Sequence, residues 1–415
     1  MDESVSHNLL PHLFRLEYTK LTAVICRQFG FKYIEIAEDI ASDTFLKAYE
    51  TWMINGIPEN PTAWLYVVAK NKTKDHFKRL AIFENQVQDI VMSDESVAQE
   101  ELALDEKTIS DSQLAMIFSV CNPANSTEGQ ICLALQVLCG FSVEEIANAF
   151  LTKQETIKKR LLRARASLRT DNFRIEPLNK DEVTSRLDTV LKTLYLLFNE
   201  GYFSKNKSQF IREELCSEAI RLTLILAENP DTNLPQTNAL LSLMCFQSSR
   251  LEARVDKDGA AVLFDEQNKD LWDKALTEKG NYYLVNAFKG GHISKYHLEA
   301  SIAYWHTTPN DENKWKYILQ LYNELILIEY SPVTALNRAF AYAKVYGHDK
   351  AIREVEKLSL IDNGFYHGLL GYLYASIDIE IALNHYKQAV ALTKSKTDKQ
   401  VLQRKIERLR FRNDV

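Results

Sequence analysis

The amino-acid sequence predicts an all-α protein, and its composition and its patterning both indicate this class. Glycine and proline are scarce, with 13 and 9 residues among 415, whereas proteins built from many strands and tight turns use both residues often. Apolar residues recur at spacings of three and four along almost the whole chain, which is the pattern of helices that bury one face. A chain of this length is expected to form two or three domains.

The sequence lacks the features of a membrane protein and of a disulfide-linked secreted protein. No run of about 18 apolar residues predicts a membrane span, and the acidic start MDESVSHNLL does not resemble a signal peptide. The six cysteines lie in apolar surroundings and include no CxxC pair, which indicates reduced core thiols in a cytoplasmic protein. They are Cys26, Cys121, Cys132, Cys139, Cys216 and Cys245.

No pattern in the chain is typical of catalysis or of cofactor binding. His292, His297, His306 and His367 are scattered without metal-ligand spacing, so they are interpreted as surface or core histidines. The charged run around DKDG at 256–259 lacks the ligand order of a calcium loop, and a turn at Asp258-Gly259 with ion pairs is the favoured interpretation. We predict no metal, no cofactor and no enzymatic activity.

The first informative segment is AEDIASDTFLKAYETW at 37–52, which predicts an amphipathic helix. Its apolar stripe includes Ile40, Phe45 and Trp52, beside an acidic shoulder of Glu38, Asp39 and Asp43. The loop GIPENPTAW then breaks the chain, and Thr62 is predicted to cap the next helix.

That next helix, AWLYVVAKNKTKDHFKR at 63–79, ends in a cluster of positive charge. Five lysines and arginines stand against the single Asp75, for a local charge of +4. The aromatic residues Trp64, Tyr66 and Phe77 lie near these cations, and cations beside aromatic rings can bind a phosphate backbone and stack unpaired bases. For Trp64 a place in the core is the favoured alternative.

Residues 82–111 form an acidic segment with little periodicity. Nine carboxylates stand against Lys107, for a local charge of −8. Such a composition predicts a flexible tether. It could also cover the neighbouring basic helices when no partner is bound.

Residues 141–169, FSVEEIANAFLTKQETIKKRLLRARASLR, predict two short helices and a tight turn. Ser142 with Glu145 and Thr152 with Glu155 have the spacing of capping boxes. The second helix buries Ile157, Leu161, Ala164 and Leu168, and its remaining positions carry seven cations against Glu155, for a local charge of +6. This pattern is typical of a helix-turn-helix that enters a DNA major groove. A solvated basic face on an ordinary helix is the alternative.

In this order and at this spacing, the three motifs resemble an extracytoplasmic-function (ECF) sigma factor of bacterial RNA polymerase. The resemblance implies that one helix docks on core polymerase through Glu38, Asp39, Asp43 and Phe45. It implies that a second helix meets the minus-ten promoter element through Asn71, Lys72, Asp75, His76, Lys78 and Arg79. A third helix would read the minus-thirty-five element, with DNA contacts assigned to Lys153, Gln154, Thr156, Lys158, Lys159, Arg160, Arg163 and Arg165.

Beyond Asn172 lie about 240 residues that a minimal sigma factor of this type does not need. Ala339, Tyr342, Ala351, Val355 and Leu358 are loosely echoed by Gly371, Tyr374, Ala382, Tyr386 and Ala389. Small residues facing aromatic ones suggest tetratricopeptide-like (TPR-like) helix pairs. LYLLFNEGY at 194–202, LEARVDKDGAAVLFDEQNKDLW at 251–272 and SPVTALNRA at 331–339 extend the resemblance to an ECF subfamily with such an extension, which implies regulation by the extension itself.

These patterns divide the chain into a polymerase and minus-ten domain at 1–81, an acidic linker at 82–111, a helix-turn-helix domain at 112–172 and a TPR-like regulatory domain at 173–415. The implied partners are core RNA polymerase, promoter DNA and a protein or peptide on the TPR-like domain. One alternative is a stand-alone helix-turn-helix regulator with a TPR-like sensor. Another is a scaffold whose basic helices bind RNA or acidic proteins.

Overall fold

The computed structural model describes residues 3–87, 104–170, 180–203, 209–254, 262, 264–307, 311–393 and 396–413. Within these ranges the regular structure is helical throughout and contains no strand, which confirms the predicted all-α class. The chain divides into two compact units. Unit 1 comprises Met1–Gly201 and Ser217–Thr232, and unit 2 comprises Tyr202–Cys216 and Asn233–Val415.

Unit 1 contains the three motifs at 37–52, 63–79 and 141–169. Its helices are α1 (Glu3–Phe29), α2 (Ile34–Asn55), α3 (Pro61–Val87), α4 (Glu106–Val120), α5 (Thr127–Leu133), α6 (Val143–Ala149), α7 (Gln154–Thr170), most of α8 (Lys180–Tyr202) and the second half of α9 (Gln209–Glu228). A 3-10 turn at Phe31–Tyr33 precedes α2, and a π-helical turn at Ala134–Leu138 extends α5.

Unit 2 is a succession of helices in which each packs on its neighbours in the chain. It contains α10 (Pro235–Ser248), α11 (Lys274–Ala287), α12 (Lys295–Thr307), α13 (Lys314–Ile328), α14 (Pro332–Tyr346), α15 (His348–Glu356), α16 (Gly364–Tyr374), α17 (Ile379–Leu392) and α18 (Lys396–Asn413). Short 3-10 turns lie at Glu252–Arg254, Phe264–Glu266 and Lys269–Leu271.

One core of unit 1 holds α1, α2 and α3 together. Leu21 from α1, Trp52 from α2 and Leu65 from α3 are buried in it with Phe45, which also contacts Phe14 at a ring distance of 5.0 Å. Burying side chains of this size contributes about 1.5–3 kcal/mol each. The side chains on the opposite face of α2, away from Phe45 and Trp52, therefore point away from this core.

The predicted cap of α3 at Thr62 is wrong. The helix begins two residues earlier, because the Asn60 side chain accepts a hydrogen bond from the Ala63 amide at 3.0 Å. Pro61 then occupies the first helical position, where its missing N–H costs nothing.

The acidic segment is more helical at its ends than predicted. Residues 82–87 belong to α3, and α4 begins at Glu106 with Asp105 as its N-cap, 3.0 Å from the Thr108 amide. Residues 88–103 lie outside the described residues, so the predicted tether and its competition with the basic helices stay predictions for that stretch.

The structure also places part of the predicted C-terminal domain in unit 1. Arg186 of α8 donates to the Phe118 carbonyl of α4, and Thr193 of α8 donates to Gln130 Oε1 of α5 at 2.7 Å. Arg221 of α9 donates to the Leu138 carbonyl at 2.6 Å. The compact unit thus continues past the sequence boundary predicted at 172.

Candidate nucleic-acid and protein interface

The outward face of α2 combines acidic and apolar side chains. Asp39 and Asp43 are exposed, and along the same face Leu46, Tyr49 and Met53 are 57%, 50% and 62% exposed. A contiguous patch of exposed apolar side chains with a polar rim is typical of an interaction surface. The two acids were predicted from the sequence and the apolar members were not, although their spacing opposite the buried face of α2 could have revealed them.

Two of the four residues assigned to polymerase docking do not lie freely on this face. Phe45 is buried in the core of unit 1, so its predicted place on the docking surface is wrong. The side chain of Glu38 is only 16% exposed and accepts hydrogen bonds from Arg165. Burial raises the pKa of Glu38, while the guanidinium of Arg165 lowers it.

The C-terminal half of α3 presents a basic face. Lys72 is half-buried and lies 3.4 Å from Asp43 of α2, so the acidic face of α2 and the basic face of α3 adjoin. The other members assigned to the minus-ten element are exposed. They are Asn71, Asp75, His76, Lys78 and Arg79.

The aromatic residues near this basic face are not available to stack bases. Phe77 is buried and stacks on Phe29 with ring centroids 3.6 Å apart. Trp64 is half-buried against Trp52, and the Tyr66 hydroxyl donates to Glu17. The favoured core interpretation of Trp64 is confirmed, and the stacking interpretation of Tyr66 and Phe77 is wrong.

The α6–α7 hairpin has the geometry predicted for 141–169. The Ser142 hydroxyl accepts from the Glu145 amide at 3.2 Å while the Glu145 carboxylate accepts from the Ser142 amide at 2.8 Å, so the first capping box is confirmed. Helix α7 begins at Gln154, one residue after a Thr152 cap would place it. In the turn between the helices, Leu151 adopts φ 49°, a left-handed conformation.

Most of the predicted recognition residues lie on the exposed side of α7. Lys153, Gln154, Lys158, Lys159 and Arg163 are exposed, and Thr156 is half-buried. Arg160 is also half-buried, next to Cys132. Burial raises the pKa of that thiol, and the neighbouring guanidinium partly offsets the effect.

Arg165 is the exception, and its predicted place on the exposed basic face is wrong. It is buried, and its Nη2 lies 2.7 and 2.9 Å from the two carboxylate oxygens of Glu38 and 2.9 Å from Gln136 Oε1. Its Nη1 also lies 3.9 Å from Glu35. The contacts of Arg165 with Glu35 and Gln136 were not predicted from the sequence, because these residues come from elements distant in the chain.

In unit 2, the arginines of the charged run pack on aromatic rings. Arg254 lies 3.7 Å from the Tyr202 ring and donates to the Tyr202 carbonyl at 2.7 Å. Arg250 lies 5.1 Å from the Phe264 ring, which also contacts His306 at 4.9 Å. The predicted turn at Asp258-Gly259 lies outside the described residues.

The cysteines are core residues, and the histidines are divided between the core and the surface. All six cysteines are free and buried, as predicted, and burial raises the pKa of Cys121 and of Cys245 to about 12. His297 and His367 are buried, and His292 is exposed. In the part of the chain that the structure describes, no three histidine, cysteine, aspartate or glutamate side chains are grouped to hold a metal ion.

Two stretches of the chain match known family models. Residues 14–81 match the family described as sigma-70 region 2, and residues 186–288 match a family of unknown function (DUF6596). An uncharacterised Rhizobium meliloti (strain 1021) protein, R00370, is 31% identical over 386 residues, covering 91% of both chains. No solved structure matches, and no helix among the described residues is long and apolar enough to cross a membrane.

Proposed function

This chain belongs to the same family as the Rhizobium meliloti protein and carries a sigma-70 region 2, and we propose that it is an ECF-like sigma factor that gives core RNA polymerase its promoter specificity. The observation that carries the proposal is the agreement between the region 2 match and α1–α3. These helices form one core, and they turn the acidic-apolar face of α2 and the basic face of α3 outward.

Each exposed surface has a role in this proposal. The face of α2 with Asp39, Asp43, Leu46, Tyr49 and Met53 docks on core polymerase. Its mixed character suits a protein partner, since apolar side chains supply burial and carboxylates supply orientation.

The basic face of α3 holds the minus-ten element, and α7 reads the minus-thirty-five element. Cations on α3 neutralise phosphates. On α7, Gln154, Lys158 and Arg163 are exposed with the amide and cationic groups that read base edges in a major groove. The chain performs no chemistry itself, and the TPR-like helices of unit 2 modulate initiation.

The test is transcription in vitro with the full-length chain and core polymerase. The chain is expected to co-purify with core and to start transcripts at one class of promoter. Asp39→Arg is expected to reduce the affinity for core polymerase about tenfold or more. The substitution replaces a carboxylate that complements the charge of the partner by a group of opposite sign, which the partner repels. Glu312→Arg, an equal charge reversal at an exposed position of unit 2, serves as the control and should leave core binding unchanged.

A second pair of variants separates promoter choice from docking. Gln154→Ala with Lys158→Ala should abolish promoter preference while core binding persists. If the intact chain fails to co-purify with core but binds defined DNA sites, the stand-alone regulator is the better description.

A further inference from the structure

A cluster of aromatic and basic side chains in unit 2 surrounds the ring of Phe264. The ring centroid lies 4.9 Å from that of His306, 6.1 Å from that of Trp272 and 5.1 Å from the guanidinium carbon of Arg250. The ammonium nitrogen of Lys314 lies 5.9 Å from the same ring. All five side chains, which we call the Phe264 cluster, belong to half-buried residues. The cluster therefore borders on solvent.

Several buried polar atoms of this region have no hydrogen-bond partner in the protein. In the part of the chain that the structure describes, eight buried side-chain polar atoms lack one, and five of the eight lie in the Phe264 cluster or next to it in the chain. They are Gln247 Oε1, Arg250 Nε, Gln267 Oε1, Trp272 Nε1 and His306 Nδ1. A buried donor or acceptor without a partner carries a free-energy cost, and proteins accept such costs chiefly at functional sites.

The Phe264 cluster is also positively charged. Burial, and then the charges of Arg250 and Lys314, lowers the pKa of His306, and no carboxylate of the described residues offsets these two cations. Two carboxylates of the adjacent turns are engaged elsewhere, since Glu266 pairs with an arginine of α18 at 2.9 Å and Asp273 caps α11. Both cations therefore attract an anion to this site.

The unpartnered donors, the positive charge and the flanking rings point to one class of ligand. We propose that the Phe264 cluster binds a small aromatic anion, a carboxylate or a phosphate ester. Its anionic oxygens accept hydrogen bonds from Arg250 and Trp272, and its ring packs beside Phe264. Guanidinium and indole N–H groups donate to such oxygens, and aromatic side chains supply the apolar contact typical of small-molecule sites. This inference goes beyond the proposed function, because it gives unit 2 a ligand of its own.

Binding requires the Phe264 ring to move. The unpartnered atoms are covered by their neighbours in the free chain. Phe264 itself belongs to a short 3-10 turn that ends at the exposed Glu266. A change of side-chain rotamer at such a turn leaves the surrounding helices in place. The ligand then replaces the contact between Phe264 and His306.

NMR titration of the full-length chain, with labelled histidine rings, tests the site with defined probes. Benzoate and phenyl phosphate carry the two kinds of anionic group on one ring, inorganic phosphate lacks the ring, and benzyl alcohol lacks the charge. At least one aromatic anion is expected to shift the His306 signal with a Kd of about 1 mM, as suits a ligand of about ten heavy atoms. The tighter of the two identifies the anionic group. Inorganic phosphate and benzyl alcohol should bind about tenfold more weakly or less.

Variants assign the binding to the Phe264 cluster. Arg250→Gln is expected to weaken binding about tenfold, because it removes a charge-assisted hydrogen bond. Arg353→Gln, at an exposed position of α15, is the matched control and should leave the affinity unchanged. Trp272→Phe keeps an aromatic ring and removes only the indole N–H, so it provides the test if Arg250→Gln does not fold. It should weaken binding about threefold. His306→Gln identifies the His306 signal.

Three results would overturn the proposal. The first is that neither aromatic anion shifts the His306 signal more than that of the exposed His292, as expected if ordered water satisfies the unpartnered atoms. The second is that the folded Arg250→Gln and Trp272→Phe chains bind as tightly as the wild type. The third is that inorganic phosphate binds as tightly as the aromatic anions, which would leave the rings without a role.

Discussion

Single charged residues in this chain take their roles from what packs around them. Seven cations of the α7 motif look equivalent in the sequence, yet Arg163 is exposed and Arg165 is buried against two carboxylates. The helical spacing already placed Arg165 next to the buried Ala164 and Leu168. The spacing could not predict that its counter-charge would be Glu38, which lies 127 positions away in the chain.

His306 makes the stability of unit 2 depend on pH. Burial, and then the positive charges of Arg250 and Lys314, lowers its pKa to about 3 in the folded chain. Below its unfolded pKa of about 6.5, the unfolded chain binds a proton that the folded chain excludes, so stability falls as pH decreases from 6.5 toward 3. On acidification from pH 7.5 to pH 5.5, the protonation of this residue in the unfolded chain should lower the free energy of unfolding by about 1.4 kcal/mol.

The measurement is urea unfolding at both pH values for the wild type and for His306→Gln. The variant should lose about 1.4 kcal/mol less stability on acidification than the wild type does. His292→Gln, at an exposed position, controls for general acid effects. Equal losses in all three chains would refute the assignment.

At the scale of elements, the helix pair α16–α17 shows why small and aromatic residues alternate in the C-terminal region. A Cβ on Gly371 would lie 2.9 Å from the ring of Tyr386, which is itself buried. The predicted logic of small residues facing aromatic ones is therefore observed for this pair. The identification of the region as TPR-like remains a prediction.

Gly371→Ala is expected to destabilise unit 2 by about 1–3 kcal/mol, because the added methyl forces Tyr386 out of its packing position. The matched control is Gly368→Ala in the same helix, where the nearest atom would be Leu402 Cδ2 at 3.8 Å. That change should stabilise by about 0.5–1 kcal/mol through helix propensity. Thermal unfolding of both variants measures these changes in stability. A similar effect of the two substitutions would exclude the close packing of Gly371 against Tyr386 as the cause of the destabilisation.

At the scale of the whole molecule, the extension begins inside the unit that carries the proposed DNA and polymerase surfaces. Helix α8 buries Leu187, Leu191, Leu194 and Phe198 in unit 1, and its Thr193 bonds to Gln130 of α5. Removing the chain after Asn172 would remove these buried side chains from unit 1, together with the hydrogen bonds that Arg186 and Thr193 make to α4 and α5.

A chain stopped at Asn172 should therefore unfold at a lower temperature than one stopped at Thr232, the last residue of unit 1. The expected difference corresponds to several kcal/mol, because each buried leucine contributes about 1.5–3 kcal/mol. Calorimetry of the two fragments measures it. Equal midpoints would show that α8 and α9 add nothing to the stability of unit 1.

The sequence by itself determined the helical class, the first capping box of α6, the buried free cysteines and the order of the motifs. Each of these depends on residues within about one helical turn of each other, or on composition, and such local patterns can be recognised in the sequence. The exposed cations of α3 and most of those of α7 were predictable for the same reason.

Tertiary structure decided which residues of the motifs are accessible. Phe45 and Phe77 joined the core, Asn60 replaced Thr62 as the cap of α3, and α8 packed with α4 and α5. The pairing of Arg165 with Glu38 brings together helices that the sequence had assigned to separate domains. Their contact depends on how distant elements fold together, since desolvation and counter-charge are properties of a three-dimensional environment that no local pattern encodes.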